Sequence, residues 1–328
     1  MRFGWAAFVL ALTVGGCSGA LTVRGRVVHP AQVPVRAFPR ILVIASDTGE
    51  ADQLAAAIVA HLEGDGSHVR RGTPAEARAL RQRGELARGT VLLHVDAALR
   101  DERRAGWTRS NRLDCGPLGC VESNRPVMRY VPAVAGRVAL TVFDGRTGRR
   151  LQRESIEAEA SDGDPMGMRL QVIERLTERT VQLLDQRAED VAVELHPTEA
   201  PQVQAALDAI RDGRWTHGRD LLERYVVSAD FGALSREERA RVLYDLSQAR
   251  RFDPSVPPDV RFERASEALE AAVQLHPQDR YASAISELEA HRRARELVQA
   301  QEQARHHNFR VGRTEGAASV PEPPESYR

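Results

Sequence analysis

Hydrophobic positions along the chain follow three successive patterns, and each predicts a different kind of structure. Phe3 to Val14 is an unbroken apolar stretch behind a single charge at Arg2. It is shorter than the roughly 20 residues a membrane-spanning helix needs and suits the core of a signal peptide. Mixed strand and helix signals follow. Ile41 to Ala45 (ILVIA), bounded by Pro39 and Asp47, is a continuous apolar run, as in a strand buried on both faces, and Val91 to Val95 (VLLHV) reads as a second buried strand. Between them Leu54, Ile58 and Leu62 recur at helical spacing up to Gly64. Thr73-Pro74-Ala75-Glu76 is a capping box with proline at the first helical position, opening a second helix through Ala77 and Leu80 to Gly84. This order predicts an α/β sheet with helices packed on it.

From Trp107 the pattern turns antiparallel. Val138, Leu140 and Val142 alternate, and Asp144-Gly145-Arg146-Thr147-Gly148 supplies a turn into Leu151 to Ala160. Asp164-Pro165 caps a helix striped by Val172, Leu176, Leu183 and Leu184, and Val191, Val193 and Leu195 alternate as a last strand. Beyond Pro201 only helical periodicity remains. The segment from 306, with prolines at 321, 323 and 324, has no period and reads as disordered. The expected fold is therefore an α/β (α+β) domain with a mixed sheet, followed by an all-α domain. Its boundaries are 1–16 signal peptide, 17–200 α/β domain, 201–305 helical domain and 306–328 tail.

Composition narrows the function. Forty-six basic residues balance 46 acidic ones, which argues against a nucleic-acid partner. Every basic residue is arginine, so Walker-A, Schiff-base and Ser-Lys chemistries are excluded. No G-x-S-x-G, H-E-x-x-H or G-x-G-x-x-G occurs. Asp162 and Asp164 resemble part of a calcium loop but lack its remaining ligands and read as a helix N-cap. His306-His307 has no companion ligands, so neither a metal nor a cofactor is expected. Ser46-Asp47, just after a buried strand, stands where α/β enzymes place catalytic groups. Nothing names the histidine or second acid such a site needs, and no catalytic residue is assigned. The arginines of 100–104 and 145–150 read as solvated surface.

Val14-Gly15-Gly16-Cys17 resembles the lipobox of bacterial lipoproteins, with Val14 where leucine is commonest. That resemblance implies cleavage before Cys17 and acylation of its thiol. Ser18 in place of aspartate implies passage to the outer membrane, facing the periplasm. Cys115 and Cys120 then remain as an even pair, which an oxidising compartment favours as a disulfide; zinc is the rival.

Two further resemblances concern the domains. Ala265, Leu269, Ala272 and Pro277 resemble the second helix of a tetratricopeptide repeat, and Leu243, Tyr244, Leu246 and Ser247 its first. Gly213, Trp215, Leu222 and Tyr225 resemble an earlier repeat, with Gly218 where alanine is usual. Residues 29–45 (HPAQVPVRAFPRILVIA), the helix after them and the hairpin 136–151 resemble the domain of the curli secretion-channel lipoprotein and the penicillin-binding-protein activators. The resemblances imply a non-enzymatic envelope lipoprotein whose helical repeats bind another envelope protein, with Trp215, Tyr225 and Tyr244 as candidate anchors. A periplasmic hydrolase and a structural subunit of a secretion or surface-polymer apparatus are the alternatives.

Overall fold

The computed structural model describes residues 20–64, 67–86, 89–116, 119–161 and 163–318, with side chains described outside 106–125, 127 and 312–318. Cys17, the expected signal peptide, Asp162 and residues 319–328 lie outside these. The chain divides into two compact units: His29–Arg187 with Leu297–Arg328, and Met1–Val28 with Ala188–Glu296. The first is α/β and carries a mixed five-stranded sheet. Its strands are β2 (Arg40–Ala45), β3 (His68–Gly72), β4 (Thr90–Gly116), β5 (Gly119–Asp144) and β6 (Arg150–Ala160), in the order β3-β2-β4-β5-β6. β2 runs parallel to β3 and β4, whereas β4-β5-β6 is an antiparallel meander.

The period of two assigns each apolar residue of this sheet to a face. Ile41, Val43, Val91, Leu93, Val95, Val138 and Leu140 meet helices α1 (Gly49–Leu62) and α3 (Pro165–Leu184), through Leu54, Ile58, Val172 and Leu176. Leu42, Ile44 and Leu92 face the other way, onto Ala77 and Leu80 of α2 (Pro74–Gln82). That explains why Ile41–Ala45 is apolar at every position and Val91–Val95 at all but His94. Both expected caps form. Thr73 Oγ1 accepts from Glu76 N–H at 3.1 Å, and Asp164 Oδ1 accepts from Met166 and Gly167 N–H at 3.0 and 2.9 Å.

The second unit holds a strand the sequence reading missed. Leu21, Val23 and Val27 alternate in β1 (Leu21–His29), which pairs with β7 (Arg187–Leu195) in a two-stranded sheet of its own. The ends of the expected 17–200 domain thus pack with the helices. Val23, Val27, Val193 and Leu195 share a core with α4 (Pro201–Arg211), α5 (Trp215–Val226) and α7 (Arg236–Phe252). Gly25 lies so close to the Phe252 ring that a Cβ would come within 2.5 Å of it. A second core joins α7, α8 (Pro258–Leu275) and the start of α9 (Asp279–Ala318) through Leu243, Phe262, Leu269, Tyr281 and Leu288. Short α6 (Ala229–Ala233) connects α5 to α7.

Helix α9 also corrects the expected tail, because residues 306–318 are helical. Its later part belongs to the sheet unit, where Val298 is fully buried and the Gln301 amide makes two bonds with the Ala31 backbone. Asn308 Nδ2 donates to the Ala37 carbonyl at 2.9 Å. These anchors are polar amides, so no apolar period marks them.

Gly218 allows α4 and α5 to cross closely. A Cβ there would stand 2.4 Å from Ile210 Cγ1 and 2.9 Å from the Ala206 carbonyl oxygen. Alanine would gain about 1 kcal/mol of helix propensity but overpack a site where one neighbour is backbone, at about 1–3 kcal/mol. G218A should therefore lower the thermal midpoint measured by circular dichroism; a raised midpoint would show that the crossing relaxes at little cost.

Candidate interaction surfaces

The sequence-predicted anchors of the helical unit lie inside it. Tyr225 is 4% and Tyr244 8% exposed. Trp215 packs on the same core, with its ring 5.2 Å from Phe252. The apolar area of Tyr225 and Tyr244 lies between helices, which corrects the expectation that these two line a docking groove, whereas Trp215 is half-buried.

Two buried carboxylates organise this unit. Asp253, just past the end of α7, accepts hydrogen bonds from Thr216 Oγ1 at 2.7 Å and Ser255 N–H at 2.9 Å, and pairs with Arg219. Burial works against its charge, but these bonds and Arg219 hold its carboxyl below the usual range. The proline-rich segment after α7 is thus tied back to α5. Asp245 differs. It is fully buried, Oδ1 accepts only from His196 N–H at 2.9 Å, and Oδ2 has no partner. Burial raises its carboxyl well above the ordinary range, against the opposing effects of His196 N–H, Arg280 and Arg241. Burial, then Arg280 and Arg241, lower His196 to about 4.

On the sheet unit, Arg100, Arg104, Arg137, Arg175 and Arg179 outnumber Glu102, Glu157 and Glu159 around an open concavity of about 580 Å³. Arg104 pairs with Glu159 and lies 3.6 Å from Glu102, and Arg137 is 4.0 Å from Glu157. Carboxylates thus already occupy positions an anionic ligand would need. Ser46, just past the end of the buried strand β2, has a buried hydroxyl with no hydrogen-bond partner. His61 and Asp185 bond at 2.7 Å, but Arg36 takes the other oxygen of Asp185 at 2.7 Å, so this trio staples α1 to the end of α3.

The feature absent from the sequence reading is the length of β4 and β5. Pairing with β6 begins at Val134, and pairing of β4 with β2 ends at Val95. The two strands continue to their turn as a lone ribbon, Asp101↔Val134 through Gly116↔Gly119. Near its root Met128 and Tyr130 are 57% and 77% exposed. They share strand parity with Val134, the partner of Asp101, and Asp101 bonds Arg169 of α3 at 2.7 Å. Met166 and Leu170, 68% and 60% exposed, flank Arg169. These are four large exposed apolar side chains of one unit; where such side chains are contiguous, they mark a contact site more often than chance exposure.

No family model and no curated protein matches the chain. Among solved structures it is similar to a neuraminyllactose-binding hemagglutinin homolog from Helicobacter pylori, at 10% identity over 45% of this chain and 86% of that one, with a TM-score of 0.31. PelC from Paraburkholderia phytofirmans, solved as a dodecamer, is similar at 13% identity over 51% of this chain and 100% of its own, with a TM-score of 0.27. Lipoprotein GNA1162 from Neisseria meningitidis is similar at 13% over 43% and 97%, with a TM-score of 0.22. Scores this low transfer no role to this chain.

Cys115 and Cys120 are direct partners in the ribbon register. Pro126 and Pro132, of the same parity as Cys120, have no N–H to give the ladder, so this parity is the non-hydrogen-bonded one. Opposed Cα atoms are then about 4.5 Å apart, within disulfide reach. If the chain is exported to an oxidising compartment, thiol titration of the full-length protein should find the pair oxidised. The double Cys→Ser variant should still fold, because so short a loop removes little unfolded-chain entropy.

A second expectation concerns Asp245. The unfolded chain ionises it near 3.8, the folded chain only at higher pH, so stability falls as pH rises through that window. His196 acts oppositely, losing stability as pH falls from 6.5 towards about 4. Asp245→Asn keeps an acceptor for His196 N–H and removes the charge. It should gain on the wild type with rising pH, by up to about 1.4 kcal/mol per unit within the window, in urea melts from about pH 4 to about pH 8. A constant difference across that range would mean the buried carboxyl does not titrate with folding.

Proposed function

We propose that this chain is a lipid-anchored envelope protein that works by contact with another envelope protein, without catalysis, at the outer membrane and facing the periplasm. The anchor reading rests on the short apolar segment and Val14-Gly15-Gly16-Cys17. Among the described residues no helix is long and apolar enough to cross a membrane, so the lipid on Cys17 would be the attachment. Stable attachment takes more than one acyl chain, which the diacylglycerol and amine acyl groups of this lipoprotein class would supply.

The observation that carries the contact reading is the exposed set Met128, Tyr130, Met166 and Leu170. Methionine and tyrosine suit such a role: one adapts its shape, and the other gives apolar area with a polar tip. Affinity would come from a few such anchors instead of total area. The helical unit, with its small-residue crossings, would then act as a repeat-like scaffold whose aromatics hold it together. This shifts the partner site from the repeats to the sheet unit.

Two experiments test the reading. Cys17→Ser should leave the precursor uncleaved and unlabelled by fatty acid; a wild-type mature protein that starts elsewhere and is soluble would refute the anchor. For the contact, a photo-crosslinking residue at Tyr130 of the full chain should give one dominant protein adduct in the native envelope. Adding Leu170→Ser should reduce that adduct about tenfold, the loss of one buried leucine's worth of contact. Adducts with lipid alone would make the patch a membrane-resting surface and overturn the proposal.

A further inference from the structure

The ribbon has an open edge, and its sequence fits a second copy of itself. Backbone bonds fix which groups point outward. Thr90 carbonyl accepts from Gly145 N–H, so even-numbered residues of β4 bond β5. Odd-numbered carbonyls point away: Val95 accepts from Ser46 N–H at 2.9 Å and Ala97 from Thr48 Oγ1 at 3.0 Å. The register then runs without a shift to the turn. From Leu99 to Cys115 the odd residues of β4 thus present N–H and C=O groups that no strand pairs among the described residues.

The other edges of this sheet are protected. On β5 the outward positions beyond the sheet include Pro126 and Pro132, which offer no N–H. On β6, Arg179 Nη1 donates to the Glu157 carbonyl at 2.6 Å and Arg175 to the Glu159 carbonyl. β3 is only five residues long and carries Arg70 and Arg71. Among the described residues, only the β4 edge combines length with an uninterrupted set of donors.

We propose that β4 of one copy pairs antiparallel with β4 of a second copy about a two-fold axis at Trp107, giving a continuous β5-β4-β4-β5 ribbon. Charge favours this register over its immediate neighbours. With the axis at Trp107, Arg100 falls opposite Asp114 and Glu102 opposite Arg112, each twice by symmetry. Sliding by two residues one way sets Arg100 opposite Arg112 and Arg103 opposite Arg109. Sliding the other way sets Arg104 opposite Arg112 and Glu102 opposite Asp114. Directly opposed like charges destabilise a sheet pair, and opposite charges support it. The pairing has the self-complementarity of a two-fold interface. It supplies the third and fourth strands that a lone two-stranded ribbon needs for stability. It does not depend on the contact function proposed above, since it uses the ribbon's edge and leaves Met128 and Tyr130 on its face.

The test is the oligomeric state of the full acylated chain in detergent, by analytical ultracentrifugation over a range of protein concentrations. The wild type should dimerise. Glu102→Arg and Arg112→Glu, each creating two like-charge pairs, should weaken the dimer about tenfold, and the double exchange should restore it. Ala105→Pro removes one outward N–H and no bond to β5, so it should abolish the dimer while circular dichroism still reports a folded chain. A wild type that stays monomeric, a dimer indifferent to Ala105→Pro, or a double exchange no tighter than the singles would overturn the proposal. So would capture of a different protein's strand at this edge in place of a second copy. If Ala105→Pro fails to fold, the charge exchange alone decides.

Discussion

The antiparallel ladder between Thr90–Gly116 and Gly119–Asp144 sets the geometry of the sheet unit. Its register holds from Val91↔Asp144 to the turn, so one alternation decides which residues meet α1 and α3 and which meet α2. Moving this register by one residue would turn Val91, Leu93, Val138 and Leu140 from the larger core to the smaller face. Burial on both sides at the sheet end therefore fixes the register at the distant end, where little else does. The outward position of the prolines, the opposition of the cysteines and the exposed set near Tyr130 all follow from it.

The elements legible in the sequence are those whose burial leaves a period. β2 and the start of β4 read as buried strands because both faces are covered, and α1 and α3 read as stripes because one face is. The continuation of β4 was not legible for the same reason: a ribbon exposed on both faces has no apolar alternation to show. Residues 100–104, RDERR, look like solvated loop until the partner strand is known. β1 did carry a signal in Leu21, Val23 and Val27, but Gly25 breaks its apolar face, and only the nearby Phe252 ring explains that glycine. The helix past 305 is held by Gln301 and Asn308, whose bonding to backbone leaves no hydrophobic trace.

In the helical unit, the repeat-like residues were correctly placed on helices, but their roles could not be divided between groove and core. Trp215, Tyr225 and Tyr244 have a composition that suits either. Burial decides the matter for Tyr225 and Tyr244, and Trp215 packs half-buried against Phe252. The buried carboxylates were silent in sequence as well. Asp253 earns its stability from three partners drawn from two segments, whereas Asp245 has one bond and an unpaired oxygen, so two aspartates eight residues apart are pushed in opposite directions.

A sheet with one long edge left open is under a constraint that its other edges make visible. Arginines of α3 occupy the carbonyls of β6, prolines interrupt β5, and β3 is short, three separate means of preventing strand addition. The β4 edge has none of these, although proline at an odd position would cost the intrachain ladder nothing. Its charges also alternate so that one antiparallel register is complementary and its neighbours on either side are not. An edge merely tolerated would need no such pattern, whereas an edge used for pairing needs a device that rejects wrong registers. The arginines and acids of 100–114 supply that device, which gives the polar ribbon a reason to be both long and charged.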